Sequence, residues 1–241
     1  MNTASDSLVL RDDRDGICTL TLNRPDKRNA VTPALFTQLR EHLDDLVAHN
    51  DGLGVVVLRG AGKSFCAGHD LSEVGQMDLA WLRHESRTLE LFAQLPQVVI
   101  AAVQGHCLTG GLELALAADI IIAAENARFA DTHGKWGLVP AWGMSQRLPR
   151  RIGASKALEL MVTCRQVDGR EAAHIGLANL CVADAELDAE VARFAATVME
   201  NSAHSNAANK RLVYDTDGMS LPQGMAHELF RSVGSKKRNL G

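Results

Sequence analysis

The sequence predicts an α/β protein, with a core of buried strands and helices followed by a mainly helical C-terminal region. Three observations carry that reading. Short β-branched runs alternate with segments of helical period as far as about Gly153. Beyond that point the pattern becomes mainly helical. Aromatics are 4% of the 241 residues against 46% hydrophobic, so Ala, Val, Leu and Ile must fill the core. The 20 glycines lie largely inside apolar segments rather than between them, a first sign of a site built from backbone.

Ile17–Leu22 alternates between Gly16 and Asn23 and reads as a strand. Thr32 and Pro33 open a helix with Leu35, Leu39, Leu43 and Leu46 as its apolar stripe. Gly54–Leu58 has the pattern of a strand buried on both faces, and a polar, Gly-rich loop runs on to Ser72. Trp81–Leu95 reads as a helix, Val98–Val103 as a strand, Gly105–Gly111 as a turn, Leu112–Ala118 as a short apolar helix and Ile120–Ile122 as a strand. Ser155–Thr163, Gly169–Ile175, Leu187–Asn201 and Asn206–Tyr214 complete the series as helices. The core is drawn as residues 1–187 and the helical region as 188–241.

Composition excludes several classes. The net charge of −4 offers no basic face for nucleic acid. No apolar run approaches the ~20 residues that span a bilayer, and the polar, acidic N-terminus is no signal peptide. Cys18, Cys66, Cys107, Cys164 and Cys181 lack metal spacing and fit reduced, packed thiols in a cytoplasmic protein. Val56–Ser64 lacks the first glycine of a phosphate loop, since Val57 stands there. Gly143–Arg147 lacks the second glycine of a nucleophile elbow. His227–Arg231 ends in Arg where a zinc motif needs His, and no metal is expected.

Two segments carry chemistry, Ser64–Leu71 and Val103–Ala115. Gly110-Gly111 opens a helix, and N–H groups at a helix start are unpaired and partly positive. Two such donors can hold an oxygen that gains charge during a reaction. Glu113, in the first turn, brings a carboxylate to the same place. Either segment alone is equally a tight turn; their order and separation together favour a site.

These segments, with Arg24–Ala30, Asp119-Ile120 and Gly137–Leu148, resemble the crotonase family, the enoyl-CoA hydratases/isomerases, from about Leu20 to Val182. The resemblance implies a spiral of ββα units with a helical C-terminal region that builds homotrimers, often paired into homohexamers. It implies an acyl-CoA thioester as substrate and no cofactor, since CoA belongs to the substrate. It implies that the N–H groups of His69 and Gly110 form an oxyanion hole, and that Glu113 is one catalytic glutamate of a hydratase. Lys27, Arg28 and Ala30 would lie by the CoA nucleotide, and Ala67, Asp70 and Leu71 by its adenine and pantetheine. Arg24, Lys27 and Arg28 form a cationic cluster suited to phosphates, although without the family resemblance a solvated surface turn is the better reading. Trp136 and Trp142 flank the segment expected to line the acyl pocket.

His133 is the chief departure, standing where the second hydratase glutamate would fall. It is either a pocket-lining acid/base or a packing or capping residue. Asp131 is a possible substitute carboxylate, with a solvated or capping role as the plainer reading. His69 and Thr109 replace smaller residues common in the family. The favoured reaction is hydration of a trans-2-enoyl-CoA, in fatty-acid oxidation-type chemistry. Its rivals are Δ3–Δ2 enoyl-CoA isomerisation, for which one glutamate suffices, and non-catalytic acyl-CoA binding. After Arg231 the chain runs only to Gly241, so the amphipathic segment with which the family usually continues is expected to be missing, along with its ligand contacts.

Overall fold

In a computed structural model the described residues are 7–49, 52–70, 72 and 78–232. Two sheets organise the chain, one of six strands and one of three. Strand β1 (Val9–Arg14) pairs antiparallel with β2 (Ile17–Leu22) through Asp15-Gly16. Both turn residues have positive φ, 51° and 78°, the backbone that a two-residue hairpin needs. Helix α1 (Pro33–Ala48) starts at Thr32, whose hydroxyl accepts the Leu35 N–H, and buries Leu35, Phe36, Leu39, Leu43 and Leu46. Strand β3 (Val55–Gly60) joins β2 in parallel. Helix α2 (Leu79–Gln94) is capped by Asp78.

A ββα pattern follows, each unit giving one strand to each sheet. Strand β4 (Val98–Val103) lies beside β3, then β5 (His106–Leu108) enters the small sheet and α3 (Gly110–Leu116) closes the unit. Strands β6 (Ile120–Ala124) and β7 (Arg128–Ala130) repeat the step, pairing in parallel with β4 and β5. Helices α4 (Met144–Ile152) and α5 (Ala154–Thr163) follow, then β8 (Val167–Asp168), α6 (Gly169–His174) and β9 (Leu180–Val182). The large sheet thus runs β1-β2-β3-β4-β6-β9 and the small one β5-β7-β8.

The main core lies between the sheets and α1 to α6. Helix α7 (Leu187–Met199) covers the other face of the large sheet, with Leu187, Val191 and Ala195 against Val55, Val57, Ile100, Ala102 and Ile122. A boundary at 187 therefore parts a helix from the sheet that it covers. Helices α8 (Ala203–Asp215) and α9 (Leu221–Arg231) bury no residue. Asp119, at the start of β6, ties α8 to the sheet. Its Oδ2 accepts the Val99 N–H at 2.7 Å and pairs with Lys210 Nζ at 2.8 Å, while Oδ1 accepts from the Tyr214 hydroxyl at 2.9 Å. Among the described residues no helix is long and apolar enough to cross a membrane.

Candidate active site

Backbone contacts bring the two glycine-bearing segments together. Cys66 bridges Cys107 in parallel, with Cys66 N–H donating to the His106 carbonyl at 2.9 Å and Leu108 N–H to the Cys66 carbonyl at 3.0 Å. The approach tolerates no side chain at three glycines. A Cβ at Gly68, whose φ is 92°, would lie 2.8 Å from the Leu108 carbonyl oxygen. One at Gly110 would lie 2.4 Å from the Trp142 ring, and one at Gly111 only 2.2 Å from the Cys66 carbonyl oxygen. Close packing, more than turn freedom, requires the pair Gly110-Gly111.

This packing points two donors at one space. Val31 N–H donates to the Gly68 carbonyl and Asp70 N–H to the Val31 carbonyl, both at 2.9 Å. The N–H of His69, between them in an extended segment, therefore faces away from Val31. Gly110 is the first residue of α3, so its N–H has no partner within the helix. Its predecessor Thr109 holds a positive φ of 51° outside any turn glycine, a local strain at the mouth of the site. His69, Leu82, Thr109, Gly110, Glu113, His133, Trp142 and the loop 137–141 line a cavity of about 350 Å³.

Glu113 is buried, and its two oxygens have different surroundings. Oε1 accepts the N–H groups of Trp142 and Met144, both at 3.0 Å, where α4 begins. Oε2 is 3.9 Å from His133 Nε2, too far for a direct hydrogen bond. Burial pushes the Glu113 carboxyl above its ordinary value; the Met144 N–H, the His133 charge and the Trp142 N–H pull it down, and nearby Asp131 pushes it up again. Asp131 is buried, not solvated. Its Oδ1 accepts from the His133 backbone N–H at 3.0 Å and from His133 Nδ1 at 2.6 Å. The carboxylate thus fixes the ring, placing the proton on Nδ1 and turning Nε2 towards Glu113.

The sequence named other positions, which the structure distributes less evenly. Trp142 lines the cavity, but Trp136 does not. Trp136 is 57% exposed on a single 3₁₀ turn, His133–Trp136, whose only buried residue is His133. Lys27 and Arg28 are exposed, and Ala30, Ala67 and Asp70 half-buried, in two loops joined by the Ala67 N–H donating to the Arg28 carbonyl at 2.9 Å. Arg24 leaves the cationic cluster. Its guanidinium bonds the Ala30 carbonyl and pairs with Asp70 at 3.0 Å, so it braces the loops. Leu71 lies outside the described residues. All five cysteines are free thiols, and among the described residues no group of three or more His, Cys, Asp or Glu is placed to hold a metal.

Comparison with known proteins identifies the family. Residues 12–239 match the family model described as enoyl-CoA hydratase/isomerase. The chain belongs to that family. Among its relatives is the 2,3-dehydroadipyl-CoA hydratase of Escherichia coli, 34% identical over 93% of this chain and 88% of that protein. The crystal structure of an enoyl-CoA hydratase from Bacillus anthracis superposes with a TM-score of 0.88 at 33% identity, covering 93% of this chain and 89% of that one. A Thermobifida fusca structure solved in complex with CoA gives a TM-score of 0.88 at 28% identity, covering 95% and 92%.

Proposed function

We propose that this protein hydrates trans-2-enoyl-CoA thioesters to 3-hydroxyacyl-CoA. The observation that carries the reading is the convergence of Glu113, His133 and two free backbone donors on one cavity. The thioester oxygen accepts from the N–H groups of His69 and Gly110. A water accepts its orientation from two neighbours, Glu113 Oε2 and His133 Nε2, whose 3.9 Å separation lets one molecule touch both. Glu113 takes a proton as the water oxygen bonds to Cβ, and the electron pair moves onto the thioester oxygen. The enolate then collapses, Cα takes the proton from Glu113, and the carboxylate is restored. Its raised pKa suits both steps, since the group must first accept and then hold a proton. Lys27 and Arg28 are assigned to the CoA phosphates, with Ala30, Ala67, Asp70 and Leu71 along the rest of the carrier and Trp142 beside the acyl group.

Loss of the conjugated-thioester absorbance of crotonyl-CoA is the direct assay. Glu113→Gln is expected to lower kcat by about 10²–10⁴-fold. An undiminished variant, or a wild type inert towards every chain length, would overturn the reading. A second reading follows from the one glutamate among the cavity-lining residues: the same carboxylate would shuttle a proton from C2 to C4 of a 3-enoyl-CoA. Conversion of 3-enoyl-CoA without exchange of solvent oxygen would favour it.

The assembly is proposed to be a homotrimer or homohexamer in the cytoplasm. Helix α9 leaves Leu221, Met225 and Leu229 exposed at four-residue spacing, and α5 leaves Leu158 and Val162 exposed likewise. Sedimentation of a monomer at micromolar concentration would contradict this.

A further inference from the structure

We propose that Glu85, on α2, is a positioning residue for the oxyanion site: its carboxylate holds the His69 side chain and so fixes the donor beneath it. The inference rests on the oxyanion role of the His69 N–H given above. It does not depend on which reaction follows.

Helix α2 buries Glu85, Thr88, Leu89 and Phe92, a stripe at helical spacing in which a carboxylate occupies a core position. Leu82, one turn earlier, lines the catalytic cavity. Glu85 is fully buried, and Oε2 has no hydrogen-bond partner. Oε1 meets His69 Nε2 at 3.2 Å, and no other ion pair reaches the carboxylate among the described residues. A buried charge with a single partner stabilises a fold poorly. Its position against a site residue gives it another use.

The surroundings of the ring fix its orientation. Nε2 meets the Glu85 carboxylate at 3.2 Å, and Nδ1 faces the backbone oxygen of Asp70. The ring lies against Trp142, with centroids 5.5 Å apart. Trp142 also abuts Gly110, the other donor residue. Glu85, His69, Trp142 and Gly110 therefore form one contact chain that spans both oxyanion donors. A carboxylate that fixes this ring fixes the donor geometry offered to the thioester oxygen.

Acetoacetyl-CoA tests this directly, because its enolate absorbs in the ultraviolet and reports stabilisation of a charged thioester oxygen. Glu85→Gln keeps the size of the side chain and an oxygen that accepts from Nε2, but removes the charge. The bound enolate fraction and kcat on crotonyl-CoA are each expected to fall about tenfold in this variant, with KM within about threefold. An enolate signal equal to wild type would overturn the proposal, as would a wild type that forms no enolate. His69→Gln, which keeps the backbone N–H, covers the case in which Glu85→Gln fails to fold. The same tenfold loss is expected there, and an unchanged signal again overturns the proposal. A wild type that ionises acetoacetyl-CoA through Glu85 yet fails to turn over crotonyl-CoA would sink the hydration reading and leave this one standing.

Discussion

The two walls of the cavity are made of different material. The wall proposed to hold the thioester oxygen is backbone: Gly68, Gly110 and Gly111 pack so closely that any Cβ would meet another chain segment or the Trp142 ring. The facing wall is side chain: Asp131 holds His133, and His133 faces Glu113. The first wall admits only one solution, because a missing side chain has no substitute. The second is defined by proton positions, which different residues can supply. That contrast explains how a histidine can stand where the family resemblance places a glutamate.

The sharpest break of the comparison is on the backbone side. Gly111→Ala puts a methyl group 2.2 Å from the Cys66 carbonyl, so β5 or α3 must move. A loss of about 3 kcal/mol or more in chemical denaturation is expected, with turnover abolished. A stable, active Gly111→Ala would mean that the wall is not sterically fixed. On the side-chain wall His133→Glu tests whether the family residue works in this setting. It would bury a carboxylate against Asp131, and about a hundredfold loss of kcat is expected. Combining it with Asp131→Asn should recover most of that loss, since the competing charge is gone. Asp131→Asn alone should cost about tenfold in kcat, because an amide can present N–H to Nδ1 and favour the wrong tautomer. Unchanged kinetics would reduce Asp131 to packing.

The smallest effect is on stability. Burial raises the Glu113 carboxyl in the folded state, so its ionised form is the disfavoured one. Stability is retained below the ordinary carboxylate range and falls as pH rises through the raised value. Glu113→Gln removes that fall. The variant should melt above wild type at neutral pH, with the gap closing on acidification. A gap that widens towards acid would reverse the sign of the shift.

The same contrast governs what could be read from the sequence. Strands β2, β3, β4 and β6 and helices α1 and α2 announce themselves by apolar period, within a few residues at each end. The small sheet does not, because strands of two or three residues such as β5 and β8 carry no period, and Gly105–Gly111 reads as a turn. Strand β1 is signalled only by the Asp15-Gly16 hairpin, and α4 is obscured by Gly143 and Pro149. At the site, motif order names Gly110, Glu113 and Trp142, and all three line the cavity. Asp131 was not legible, since an acid beside His looks solvated until the chain around it is folded. Glu85 was legible in principle, as a charge on the apolar stripe of α2. Trp136 misled because proximity in sequence says nothing of which way a 3₁₀ turn faces.

The anchoring of α8 at Asp119 bears on the order in which the molecule forms. Tyr214 reaches Asp119 across 95 residues of chain. Closing so long a loop costs only slightly more entropy than closing a short one, but it must wait for its target. Asp119 becomes that target only when β4 and β6 are paired, for one of its oxygens is shared by Val99 and Lys210. The last helices therefore dock on a finished sheet. During synthesis, when the C-terminal residues emerge last, α8 meets its anchor only after the strands it docks against have been made.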